Sequence, residues 1–152
     1  MAKEFDATFY TEKAIRKMKE VSTDEVYDGK AFRIVWHNSD EEFSDNDFQP
    51  YFVEKGKNTP EYQDMFADGE YGMLGVSFFI SEKQLKQCKP LIMKMAKKEY
   101  CILEGSIDPE KGSTSPPDSD GHFNLFVYKP NNNNNFASNF GKIVDEKRKN
   151  NE

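Results

Sequence analysis

The residues of this 152-residue chain best suited to chemistry are two histidines, a run of carboxylates and two cysteines. His37 and His122 are the only histidines, and they fall in opposite halves of the chain. A histidine pair can divide proton transfer between a general base and a general acid. His37 stands where a predicted strand gives way to an acidic stretch, so the plainer reading is two turn-proximal histidines with no catalytic role. Asp40, Glu41, Glu42, Asp45 and Asp47 crowd that stretch but lack the spacing and central glycine of a calcium loop. They read as a solvated loop. The alternative is a recognition surface of Asp40, Glu41 and Glu42 that imitates the charge of DNA towards a DNA-handling protein. Cys88 and Cys101 are too few for a disulfide framework and read as buried reduced thiols. The sequence has no metal set, phosphate-binding glycine loop or nucleophile elbow, and no cofactor is expected.

Those residues need a scaffold, and the length fits one domain with a substantial core. Aromatic residues make up 14 % of the chain, with 13 Phe and 7 Tyr, so the core or a pocket is expected to be built from rings. The net charge of −6 argues against phosphate-backbone binding as the main activity. Lys3, Glu4 and Asp6 interrupt the short apolar start, and no stretch reaches membrane-span length. A cytoplasmic protein without a membrane partner is the expectation.

The chain also says similar things twice. Ala7–Arg16 reads like Val76–Lys86 with one inserted residue, and Tyr51–Lys55 reads like Leu125–Lys129. Two blocks matching in the same order favour duplication over coincidence. Each copy is then a strand, a capped helix and two strands, spanning about 5–56 and 70–130. The predicted strands are Phe5–Phe9, Ala31–Trp36, Tyr51–Lys55, Tyr71–Ile80, Tyr100–Ile107 and Phe123–Lys129, with Phe32, Ile34 and Trp36 sharing one face. Thr11 and Ser81 are predicted helix caps. Thr59, Pro60 and Gly69 bracket a linking helix near 59–68. Pro90 either kinks the helix after Ser81 or starts a new one. Residues 108–121 read as loop, and 131–152 as an Asn-rich polar tail in which Phe136, Phe140, Ile143 and Val144 could dock a short helix. The fold class is α+β, with an antiparallel sheet and the helices on one face; an OB-like barrel with extra helices is the alternative.

This order of units resembles the gyrase-inhibitor-like (GyrI-like) domains, a module that also forms the effector-binding half of some multidrug-responsive transcription regulators. The resemblance rests on Val35–Glu41 as a strand and acidic loop, on Gly69-Glu70-Tyr71 opening the second repeat, and on Lys89-Pro90, Cys101–Glu104 and Asp120–Phe123 in sequence. It implies a ligand groove between the repeats, lined by rings and faced by a buried glutamate. Glu104 matches that glutamate, and Trp36, Phe78, Phe123 and Tyr128 are the rings placed nearby. Ring faces and a desolvated carboxylate would hold an amphipathic cation. His37-Asn38-Ser39 and His122-Phe123-Asn124 also resemble the paired motifs of two-histidine phosphoesterases, but the second lacks the hydroxyl.

The leading expectation is therefore a stand-alone, non-enzymatic binding domain for a small amphipathic, cationic ligand. The second is an acidic protein-interaction module that inhibits a DNA-handling enzyme. The third is single-stranded nucleic-acid binding, with Lys94, Lys97 and Lys98 beside stacking rings. A nuclease or phosphoesterase activity comes last, and the GyrI-like resemblance leaves room for hydrolysis through Glu104.

Overall fold

The computed structural model describes residues 4–23, 25–37, 41–130 and 135–143. It is an α+β fold built on one open antiparallel sheet of six strands. The strands are β1 (Lys30–Val35), β2 (Val76–Phe79), β3 (Cys101–Ser106), β4 (Gly112–Thr114), β5 (His122–Val127) and β6 (Phe140–Lys142), in the order β4-β5-β2-β1-β3-β6. Five α-helices are described: α1 (Glu12–Val21), α2 (Tyr51–Glu54), α3 (Pro60–Asp68), α4 (Glu82–Gln87) and α5 (Lys89–Met95).

The helix caps follow the sequence. Thr11 Oγ1 accepts from the Ala14 N–H at 3.1 Å, Thr59 Oγ1 from Tyr62 at 3.2 Å, and Ser81 Oγ from Gln84 at 3.1 Å. Each satisfies an amide that the first turn would leave without a partner. At Pro90 the chain starts a new helix: Cys88 is extended between α4 and α5, and Pro90 lies in the first turn of α5.

Alternation along the paired strands puts Phe32, Ile34, Phe79, Ile102 and Phe126 on one face of the sheet. Phe126 packs with Ala14 and Met18 of α1, Phe52 of α2 and Phe66 of α3. The other four pack with Leu85, Leu91 and Met95 of α4 and α5. The helices thus cover this face in two groups. The opposite face carries Val35, Val76, Phe78, Leu103, Phe123 and Leu125, sealed by Phe48, Ile107 and Phe136.

Five expected elements come out differently. Residues 5–9 are a turn instead of a strand, because the Asp6 carboxylate accepts from the Thr8 N–H at 2.9 Å and the Asp6 carbonyl from Phe9 and Tyr10. Tyr51–Glu54 is a helix; Pro50 precedes it, and its first amide donates to the Gly75 carbonyl at 3.0 Å. Tyr71–Leu74 is a 3-10 turn, so β2 is only its last stretch. The expected loop at 108–121 contains β4, and Phe136–Lys142 forms a 3-10 turn and edge strand instead of a docked helix. Both segments of sequence likeness therefore have different backbone structure in the two halves. A turn leads into α1 where a strand leads into α4, and α2 stands against β5. Asn38, Ser39 and Asp40, and Val144 with the rest of 144–152, lie outside the described residues.

Candidate functional site

Backbone polar groups inside a sheet need partners, and the seam between β1 and β2 provides few of them. These two central strands share a single paired position, Phe32↔Phe79, and then part towards Val35 and Val76. Arg33 enters the gap. Its guanidinium carbon lies over the rings of Phe48 and Phe78, 6.0 and 5.9 Å from their centroids. Its Nη1 donates to the Ser77 carbonyl at 3.0 Å and its Nε to the Asp47 carbonyl at 2.8 Å. Glu54 Oε2 lies 3.9 Å from Nη2. Burial lowers the Arg33 pKa from its ordinary value, and the nearby Glu54 and Asp47 carboxylates oppose that shift.

A cleft of about 220 Å³ opens over this gap. Trp36 and Tyr51 supply rings to its wall, and Arg33, Lys55 and Lys94 supply cations against Asp47 and Glu54. The Lys94 ammonium lies 4.3 Å from the Trp36 ring centroid, and Lys55 stands 5.2 Å from that of Tyr51. Burial, then Lys55 and Lys98, pulls Lys94 below its ordinary pKa, while Glu54 opposes them. His37 also lines the cleft, with Nε2 3.4 Å from Asp47 Oδ2.

Ser77 faces the same cleft from β2, and its hydroxyl meets His122 of β5 with Oγ and Nε2 2.5 Å apart. The register places Ser77 opposite Asn124 and Phe79 opposite His122, so Ser77 reaches its histidine diagonally. Phe79 meets the imidazole edge-on at 5.2 Å. The loop before β5 holds the histidine from below. Asp118 Oδ1 accepts from the His122 N–H at 3.0 Å, and Asp118 Oδ2 lies 4.0 Å from Nδ1. Gly121, at φ +77°, makes the turn that brings His122 back onto the strand. Burial holds the His122 pKa below its ordinary value, against Asp118 and Asp120. These side chains lie on the helix-bearing face, between the two helix groups. His122 and Asn124 line a hollow against Tyr71 and Gly72, and His122 also lines one against Gln84 and Cys88.

The residues singled out in the sequence do not converge. Trp36 lines the seam cleft. Phe78 and Phe123 are buried together under the opposite face, 5.7 Å between centroids. Tyr128 packs on Phe5 at 5.1 Å. Glu104 is 36 % exposed and pairs with Lys30 at 2.9 Å. Glu41 and Glu42 are exposed, and Asp40 is not among the described residues. Cys101 is buried and Cys88 half-buried, and neither is in a disulfide. The sequence reading passed over Arg33, Tyr51, Lys55 and Ser77. One available signal was a lone arginine within the apolar run Ala31–Val35.

No protein-family model matches the chain, and no curated protein or solved structure matches it. Among the described residues no group of three or more His, Cys, Asp or Glu side chains could hold a metal ion, and no helix is long and apolar enough to cross a membrane.

Proposed function

We propose that this protein binds a small amphipathic molecule in the cleft between β1 and β2, and that the ligand carries an anionic group. The observation that supports this reading is Arg33, whose side chain is 12 % exposed at the base of a ring-lined cleft that Lys55 and Lys94 also face. Its Nη2 makes no hydrogen bond to the described residues, and a guanidinium fork suits a carboxylate or phosphate oxygen. The cleft is smaller than the usual drug-sized pocket, which favours a ligand of one ring and an acidic group. A groove between the halves of the chain agrees with what the GyrI-like resemblance implies. The sign of the ligand does not, because Glu104 is neutralised by Lys30 outside the cleft and the cations gather inside it.

Thermal-shift measurements with benzoate, naphthoate and phenyl phosphate, beside amphipathic ammonium compounds, test the proposal. An anion at about a hundred times its dissociation constant should stabilise the fold by roughly 2.7 kcal/mol. The shift should disappear in Arg33→Met and weaken in Lys94→Ala. Stabilisation by the ammonium compounds alone, or by nothing in the panel, overturns it.

A further inference from the structure

The seam cleft has a reactive-looking edge that binding does not require. Ser77 is half-buried on the cleft wall, and its Oγ is 2.5 Å from His122 Nε2. Nucleophilic hydroxyls are activated by such an adjacent base. A carboxylate stands behind the base: Asp118 accepts from the His122 backbone N–H, and its second oxygen lies 4.0 Å from Nδ1. Opposite Ser77 stands Asn124, 8 % exposed. Its backbone is tied to Ser115, but its side-chain amide makes no hydrogen bond among the described residues and borders the hollow beside Gly72. Asn124 thus lines the hollow on the His122 side, whereas Ser77 lines the seam cleft.

We propose that Ser77 and His122 are a nucleophile and its general base, and that the substrate is a small carboxylic ester. This rests on the seam cleft seating the ligand, since Ser77 is reached from there. Ser77 Oγ bonds to the ester carbonyl carbon while its proton passes to His122 Nε2. The tetrahedral oxyanion collapses and breaks the bond to the alkoxide, which leaves as the alcohol with the proton from Nε2. Water then attacks the acyl-serine, giving its proton to His122. The acid departs and Ser77 regains its hydrogen. The Asp118 carboxylate favours the imidazolium that forms between these steps.

The test uses the full chain with p-nitrophenyl acetate and a fluorophosphonate probe, followed by mass-spectrometric mapping of the adduct. The probe should modify Ser77. Ser77→Ala should abolish the adduct and p-nitrophenol release, and His122→Gln should slow both by roughly 10²–10⁴-fold. If Ser77→Ala does not fold, the adduct map on the unsubstituted chain decides. An adduct on Ser77 supports the proposal; an adduct elsewhere, or none, overturns it. Thermal shifts with naphthoate separate the two readings. A retained shift without acylation removes the catalytic proposal alone, whereas loss of both removes the binding reading with it.

Discussion

Strand β1 has two neighbours and treats them differently. Against β3 it pairs at six positions, from Lys30↔Ser106 to Val35↔Cys101; against β2 it pairs at one, Phe32↔Phe79. The first seam is closed by backbone ladder and by Leu103 and Ile102 packed on either side. The second is bridged by one side chain, the Arg33 guanidinium on the Ser77 and Asp47 carbonyls. The contrast shows how a side chain can take up a strand carbonyl where a sheet opens at its centre. A side chain stands in for the ladder, and the space beside it becomes a cleft.

That contrast can be broken from either side. The largest effect is expected at the closed seam. Leu103→Ala removes a fully buried side chain and should destabilise the fold by about 2–5 kcal/mol in denaturant titration, with ligand affinity of the folded protein unchanged. A changed affinity would mean the two seams are coupled. At the open seam Arg33→Met leaves two carbonyls without donors and should cost about 1–3 kcal/mol. Here the ligand response should vanish as well, and an unaltered response would place the site elsewhere.

A smaller effect concerns pH. His122 titrates below 6.5 when folded and near 6.5 when unfolded. The unfolded chain therefore gains the proton first as pH falls. The stability from this group is complete above 6.5 and is lost as pH drops to the lower folded value. His122→Gln should remove that component from the difference between the two stability–pH curves; parallel curves would show that the histidine is not buried as described. The smallest effect is expected at Glu104→Gln. Its pair with Lys30 is exposed, so neither stability nor anion binding should change measurably, and lost binding would return Glu104 to the site.

Much of the fold was legible in the chain. Thr11, Thr59 and Ser81 announced their helices because capping is a local bond between a side chain and an amide three residues on. β1, β3 and β5 announced themselves by apolar alternation or apolar runs. Tyr51–Glu54 misled because its ring-rich composition suits a strand, while Pro50 and a distant bond to Gly75 decide for helix. β4 was hidden for the same kind of reason. Its Gly-Ser-Thr sequence has little strand signal and is held by pairing with β5.

The candidate site was the less legible part. Sequence alone determined an α+β chain with capped helices, its ring-rich core and an arginine inside an apolar strand, because these depend on neighbours within a few residues. Only the tertiary structure decided that β1 and β2 part after one pair, that Arg33 fills the gap, and that Ser77 meets a histidine 45 residues away. Such pairings depend on strand order and register, which arise from packing the whole sheet and leave no periodic mark on the segments they join.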